Sequence, residues 1–351
     1  DSLIHIEIAQ NILNFGYLQS DNSYPITHIL GASIASITDL PTEIGIGVVP
    51  IILTTIFMLS SYCLTLASSN KRIAVLSCAL ISVLVLTYYH TTPYPQASGI
   101  LLMPLIMYVF VKVLYWKNPQ YHIALLLLLL ISPFIHPMSE FLLIICLLLG
   151  YVVISPKVTN RRISFKENGI WAILLSLTVF TFWIFFNTRL GFLAERIVDW
   201  FSGSSAPLAR TYELHFVREI DIASVIELLL KLYGHIVIYL VLAVIGSLII
   251  IVEYLKKRNR RDLQICFFIA LSFLICNVFY IAMANAVKLV TWGRMLGANA
   301  GIWAAAPIIA YMIIYLFNTP YIRSFWKEVV IITVACLVII SAVSGALVIY
   351  R

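Results

Sequence analysis

Residues 1–40 read DSLIHIEIAQNILNFGYLQSDNSYPITHILGASIASITDL and combine titratable, amide and turn-forming side chains, whereas the chain after them is largely apolar. Ile4, Ile8 and Ile12 recur at helical spacing, and polar side chains occupy the other faces. The pattern predicts an amphipathic helix that lies at a membrane surface and ends at Gly16, a residue type typical of C-terminal caps. Any chemistry is expected to begin in this stretch.

The same stretch brings a carboxylate and histidines close together. Asp1 and His5 are one helical turn apart, so both side chains can face the same point. After a turn at residues 21–23, a second and more apolar helix is predicted from about 26 to 37, with His28 near its start. These side chains are the first candidates for a site.

The composition is that of a polytopic membrane protein. Of the 351 residues, 62% are hydrophobic and 11% are charged, and the mean hydropathy is +0.99, so a soluble domain could not bury the apolar surface. The six cysteines lie in apolar runs without ligand spacing, which predicts neither disulfides nor metal-thiolate sites. Because the placement of the charges matters more than their net value of +7, no nucleic-acid partner is expected.

Ten apolar stretches are candidates to cross a bilayer, which takes about 17 to 25 residues. They are residues 44–67, 73–90, 97–116, 121–135, 138–154, 169–187, 230–253, 263–284, 299–317 and 328–349. The fourth and fifth are short and flank His136-Pro137, so a broken or re-entrant pair is an alternative to two full spans. The predicted fold class is an all-α transmembrane helical bundle.

The distribution of basic residues gives the bundle an orientation. Fourteen of the 23 basic residues fall in five short alternate connections: Lys71, Arg72, Lys117, Lys157, Arg161, Arg162, Lys166, Lys256, Lys257, Arg258, Arg260, Arg261, Arg323 and Lys327. By the positive-inside rule these connections are cytoplasmic, and the protein is assigned to the plasma membrane with its active face outside. The polar clusters then all face outward: 1–40, 88–95, 136–137, 188–229 and 288–294.

Four regions follow from this topology. They are an extracytoplasmic juxtamembrane loop with an amphipathic helix at 1–43, transmembrane helices at 44–187, an extracytoplasmic amphipathic segment at 188–229, and transmembrane helices at 230–351. No phosphate-loop, zinc-protease or serine-hydrolase motif occurs in the sequence, and no repeat of fixed period. Polar groups gathered on one side suit a membrane enzyme, a transporter vestibule or a receptor.

Single residues and two short motifs carry a resemblance to a known family. The residues are Asp1, His5, Gly16, Tyr24-Pro25 and His28, in that order before an apolar helix. They resemble the first extracytoplasmic loop of GT-C glycosyltransferases, and most of all the archaeal and bacterial relatives of dolichyl-phosphate-mannose mannosyltransferases. The segment SPFIHPMS at 132–139 is similar to an outer His-Pro element of that family, and WGRML at 292–296 looks like its late outward loop.

The resemblance implies a fold and a reaction. It implies a GT-C-like bundle with a further helix before Asp1, and an enzyme that transfers sugar from a polyprenyl-phosphate donor with inversion at the anomeric carbon. The implied partners are that donor, a lipid, glycan or protein acceptor, and membrane lipids. Such a transfer needs a base near the acceptor hydroxyl and cationic groups around the departing phosphate.

Eight residues are the candidates for these roles. Asp1 is the candidate base, although it can also serve as a helix N-cap. Arg294, assisted by Lys288, is the candidate phosphate binder, because a guanidinium forms bidentate bonds to phosphate; an Arg at this depth can instead snorkel to lipid headgroups. The remaining candidates for substrate binding are His5, His28, His136, Glu140 and Tyr89. Asp1 and His5 could also hold a divalent cation, the one cofactor considered.

Two other classes of function stay open at this stage. A transporter or flippase for a lipid-linked saccharide would move label across vesicles without forming glycosidic bonds. Few ionisable residues lie near the middle of the predicted spans, which disfavours an ion-coupled transporter. A non-catalytic membrane scaffold would leave Asp1, His136 and Arg294 dispersed.

Overall fold

A computed structural model describes most of the chain. The described residues are 2–18, 22–84, 95–116, 118–158, 169–187, 222–257, 260–282 and 301–319, with five single positions between 328 and 339. Within these ranges the chain forms eleven α-helices and no β-strand, which agrees with the predicted all-α class.

Where the connection between two consecutive helices is described, it is short. The helices are α1 (Ser2–Phe15), α2 (Pro25–Thr38), α3 (Thr42–Ser68), α4 (Lys71–Leu84), α5 (Pro95–Tyr115), α6 (Pro119–Ile135), α7 (Pro137–Val158), α8 (Ile170–Phe186), α9 (Ile222–Lys256), α10 (Arg261–Ala282) and α11 (Ile302–Asn318).

Of the described helices, five are long and apolar enough to cross a membrane. They contain the segments Thr42–Ser68, Pro95–Tyr115, Pro137–Ile154, Ile236–Lys256 and Arg261–Ala282. The shorter apolar helices α2, α6, α8 and α11 have 14 to 17 residues. The predicted total of ten spans is therefore not confirmed, and the tenth, 328–349, lies almost wholly outside the described residues.

Helix α1 ends where the sequence predicts, and α2 is one residue longer at each end than the predicted range of about 26 to 37. Gly16 follows α1 with φ +69°, in the left-handed region that glycine enters without a Cβ clash, and its N–H bonds the carbonyl of Ile12 at 2.9 Å. Pro25 occupies the first position of α2, where its missing N–H costs nothing. Helix α9, in contrast, begins at Ile222, within the predicted amphipathic segment 188–229, whose first part is outside the described residues.

Most of the buried apolar side chains form one large cluster, and a second, small cluster of Ala9, Ala32 and Ile46 joins α1, α2 and α3. Helix α3 packs against α2, α4 and α5, while α11 packs against α4, α9 and α10. The largest side chains that are fully buried include Trp303, Phe57, Phe110 and Phe268. Phe185, in contrast, is 81% exposed on α8. A soluble protein rarely exposes such side chains in numbers, so these outer surfaces are suited to contact with lipid.

Candidate functional site

Four predicted residues from separate parts of the sequence lie at one end of the bundle. His5 is on α1, His28 is on α2, His136 lies between α6 and α7, and Glu140 is in the first turn of α7. Helix α2 contacts both α1 and α6, which brings these segments together. Nine of the described polar residues at this end are called the outer cluster, after the orientation that the sequence predicts: His5, Asn22, Ser23, Tyr24, His28, His136, Ser139, Glu140 and Asn187.

The two histidines of α1 and α2 contact each other directly. His5 Nδ1 lies 2.9 Å from His28 Nε2, and the ring centroids are 5.1 Å apart with an interplanar angle of 25°. The Tyr24 N–H donates to Asn22 Oδ1 at 2.9 Å, which fixes the amide orientation, and Asn22 Nδ2 then donates to His28 Nδ1 at 3.1 Å. A neutral His28 therefore carries its proton on Nε2 and donates it to His5.

Burial keeps both histidines uncharged at neutral pH. The side chain of His28 is fully buried, and this desolvation together with the nearby charge of His5 lowers its pKa from 6.5 to about 4. Burial also lowers the pKa of His5. In the neutral pair, His5 accepts through Nδ1 and keeps its own proton on Nε2, so it can donate a hydrogen bond on its far side.

The turn before α2 is joined to the end of α8. Asn187, which ends α8 and is fully buried, donates through Nδ2 to the carbonyl of Asn22 at 3.2 Å. Its Oδ1 accepts from the Ser23 hydroxyl at 3.3 Å. The sequence does not predict this contact, since Ser23 and Asn187 are 164 residues apart and each has the character of an ordinary turn residue.

His136 occupies the break between α6 and α7. Its extended backbone, φ −162° and ψ 114°, separates the two helices: Pro133 weakens the end of α6, and Pro137 disfavours a helical conformation at the residue before it. His136 Nδ1 accepts the Ser139 N–H at 3.3 Å and lies 3.2 Å from the Ser139 hydroxyl, so the imidazole caps α7. The Tyr24 ring stacks on the imidazole at 5.3 Å and 14°. The break is thereby tied to the turn that precedes α2.

Glu140 lies behind the histidine, inside the bundle. Its N–H bonds the His136 carbonyl at 3.1 Å, its side chain is 1% exposed, and its Oε1 accepts a hydrogen bond from Ser176 of α8. Gly99 of α5 packs at the same level, where a Cβ would lie 2.5 Å from the Ser139 hydroxyl. Glu140 is thus placed to brace the helix break, and it does not line an open surface of the outer cluster.

Four candidates lie outside the described residues: Asp1, Tyr89, Lys288 and Arg294. One contact between described residues of α5 and α10 lies near the ends of the ranges that precede or follow three of them. Gln96, seven residues after Tyr89, donates to the hydroxyl of Tyr280, which precedes Lys288 by eight residues. Since Gln96 is also one turn from Gly99, the contact belongs to the end that carries His136.

The described residues do not assemble a metal site. Among them, no three His, Cys, Asp or Glu side chains are grouped as ligands would be. His5 and His28 use the facing nitrogens on each other, and Glu140 is held by Ser176. Asp1, which the sequence offers with His5 as a possible ligand of a divalent cation, lies outside the described residues, and no step proposed below uses a metal.

Comparison with known proteins identifies the fold. No family model and no curated protein sequence matches the chain. Solved structures do match: the Archaeoglobus fulgidus oligosaccharyltransferase in complex with Zn and sulfate has 14% identity and a TM-score of 0.57, over 98% of this chain and 49% of that one. The apo form of the same protein has 13% identity and a TM-score of 0.58, over 98% of this chain and 52% of that one. The chain has the GT-C fold.

A further structure adds what a protein of this GT-C fold binds. The archaeal oligosaccharyltransferase AglB from A. fulgidus, in complex with an inhibitory peptide and a dolichol-phosphate, has 12% identity and a TM-score of 0.57 over 98% of this chain and 51% of that one. The chain spans about half the length of the structures that it matches. At such identities the likeness shows the fold and not the predicted mannosyltransferase-like member.

Proposed function

We propose that this chain is a membrane glycosyltransferase that takes a sugar from a polyprenyl-phosphate donor and transfers it to an acceptor on the extracytoplasmic face. The observation that carries the proposal is the outer cluster on a GT-C fold: polar side chains from α1, α2, the α6–α7 break and α8 form one contact network at one end of an otherwise apolar bundle. Such a network is costly to build in a membrane protein without a use for it.

In the proposed reaction the acceptor oxygen attacks the anomeric carbon of the donor sugar. The bond between that carbon and the phosphate oxygen breaks, and the polyprenyl phosphate leaves with the bonding electrons. Asp1 takes the proton of the acceptor group, and Arg294 with Lys288 stabilises the charge that develops on the phosphate. A single displacement inverts the anomeric configuration.

The described residues would position the reactants. Asp1 precedes α1 by one residue, and His5 follows it by one helical turn. His28 holds His5 Nδ1 as an acceptor, which leaves the His5 Nε2–H to donate to an acceptor or donor hydroxyl. The stacked Tyr24 and His136 hold α2 against the α6–α7 break, so that α1 and α2 present a rigid edge.

The proposal is tested with purified chain, dolichyl-phosphate-mannose or undecaprenyl-phosphate-mannose as donor, and lipid, glycan or peptide acceptors. A peptide with an NVT sequon belongs to the acceptor set, because such a peptide was tethered to the A. fulgidus oligosaccharyltransferase, which matches with 11% identity and a TM-score of 0.53. The readout is a new glycosidic bond, detected by mass spectrometry. Transfer without metal and with added Mg²⁺ or Mn²⁺ is compared in the same assay.

The matched variants are Asp1→Asn and Glu7→Gln. Both remove one carboxylate charge at α1, but Glu7 is exposed and has no proposed role. Asp1→Asn is expected to abolish transfer in practice: the rate should fall by the factor typical of a lost general base, about 100- to 10,000-fold. Glu7→Gln is expected to keep full activity. Full activity in Asp1→Asn would remove Asp1 from the mechanism. Movement of labelled donor across vesicle membranes without formation of glycosidic bonds would show a transporter instead of an enzyme.

A further inference from the structure

A second polar site lies at the opposite end of the bundle. A cleft of about 470 Å³ opens between α3, α5 and α10, and Lys112, Trp116 and Arg261 line it. Lys112 follows Gly99 by thirteen residues on α5, so the cleft is about 20 Å along the helix axis from the outer cluster. Tyr280, which contacts Gln96 at the outer end, is likewise nineteen residues from Arg261 on α10. The cleft is therefore separate from the proposed active site.

Two cations in this cleft face the same indole ring. Lys112 Nζ lies 3.8 Å from the centroid of the Trp116 ring, and the guanidinium carbon of Arg261 lies 4.0 Å from it. Arg261 is also 4.0 Å from the Tyr115 ring centroid. The two positive charges are thus at most about 8 Å apart, a spacing at which like charges repel each other. An anion that contacts both of them would offset this repulsion.

No carboxylate neutralises these cations among the residues that the structure describes. Asp262 also lines the cleft, but its carboxylate forms a two-pronged ion pair with the Arg260 guanidinium. Within the described ranges, the side chains of Lys112 and Arg261 instead make their recorded contacts with aromatic rings. A cation that contacts an aromatic face still has N–H groups beyond the edge of the ring, and these groups can donate hydrogen bonds to a phosphate oxygen.

The position of the cleft indicates what kind of phosphate it meets. Lys112 is in the last turn of one apolar span and Arg261 is the first residue of another, so both stand where the helices leave the hydrocarbon layer. Leu66, Ala67 and Cys63 of α3 form an apolar wall beside them. A ligand with a charged head and an apolar tail matches both surfaces, and basic pockets between membrane helices bind lipid headgroups.

We propose that this cleft binds the phosphate headgroup of an anionic membrane lipid, held by Lys112 and Arg261 over Trp116, with the acyl chain along α3. The site is at the end of the bundle that the basic loops assign to the cytoplasm. The lipid is a bound structural partner at this site and does not take part in the sugar transfer.

The test is native mass spectrometry of the full chain in neutral detergent. The probes are phosphatidylglycerol and phosphatidylcholine with identical acyl chains, and glycerol 3-phosphate as the soluble phosphate. Phosphatidylglycerol is expected to bind the wild type in preference to the other two. Neutralising one cation should weaken this binding about fivefold, and Lys112→Gln with Arg261→Gln about twenty- to thirtyfold.

Two further variants keep the result interpretable. The charge-keeping pair Lys112→Arg with Arg261→Lys is expected to retain most of the binding, which separates loss of charge from loss of packing. The control pair Lys71→Gln with Arg72→Gln removes two exposed cations from the start of α4 and should leave binding unchanged. An equal loss in the control pair, equal binding of both lipids, or glycerol 3-phosphate binding as tightly as the lipid would each overturn the proposal.

Discussion

Replacement of Gly45 by alanine is expected to strain the contact that holds α2 against α3. A Cβ at Gly45 would lie 2.6 Å from the backbone oxygen of Gly31 and 2.8 Å from the Cβ of Ala35, both of α2. A backbone atom cannot rotate away, so the two helices must separate. At Gly47, in the same helix, a Cβ meets nothing within 4 Å.

The two substitutions make a matched pair. Each exchanges glycine for alanine inside α3, so each gains the same helix propensity, about 1 kcal/mol. The difference between them is therefore the cost of the close contact, about 1–3 kcal/mol for overpacking a tight interface. Gly47→Ala is expected to be as stable as the wild type or more stable. Gly45→Ala is expected to be about 1–3 kcal/mol less stable than Gly47→Ala, and so equal to the wild type or less stable by up to about 2 kcal/mol.

Thermal unfolding in detergent, followed by tryptophan fluorescence, measures this difference. The same variants report on the site, because α2 carries His28 and a displaced α2 opens its 2.9 Å contact with His5. Sugar transfer should fall in Gly45→Ala and persist in Gly47→Ala. Equal unfolding temperatures for the two variants would show that α2 and α3 separate without cost, and would refute the argument from close contact.

Three more predictions concern the outer cluster. Because the pKa of His28 is lowered to about 4 in the folded chain, the unfolded chain takes up a proton on this residue at a higher pH, near 6.5. The contribution of His28 to the free energy of unfolding is therefore complete above pH 6.5 and should decline towards pH 4. Thermal melts at each pH measure this decline, which should be smaller in His28→Asn. Ser176→Ala removes a hydrogen bond to the buried Glu140 and should cost about 1–3 kcal/mol, whereas a melt equal to wild type would show that the carboxylate needs no such donor. Asn187→Ala removes the hydrogen bonds to Asn22 and Ser23, so it should lower the unfolding temperature and make the turn before α2 easier to cleave by protease. Unchanged protease resistance of that turn would contradict this role.

Local chemistry explains which parts of the site were predictable. Gly16 ends α1 and Pro25 begins α2 because each residue type has a strong backbone preference. The break at His136 follows from the prolines on either side of it. The sequence also predicts that His5, His28 and His136 lie at one end of the bundle, for a different reason: the order of the spans assigns each helix end to one side of the membrane.

The pairing of these residues was beyond the reach of the sequence. The contact of Asn187 with the turn before α2 joins residues far apart in the chain, and neither carries a pattern that names the other. Glu140 looked like an open carboxylate in a first helical turn, but packing places it inside the bundle against Ser176. The cleft at Trp116 was also unforeseen, because its two cations come from different helices.

The sequence by itself determined the class of this protein: a chain so apolar must place helices in a membrane, and glycine and proline fix where those helices stop, bend and start. Only the tertiary structure decided which polar side chains meet, since helices that look alike in hydropathy can pack in many arrangements. Side-chain hydrogen bonds and close glycine contacts, each effective over a few ångströms, select one arrangement among them. That selection turns scattered histidines into one cluster at one end of the bundle and places two cations on a single indole at the other.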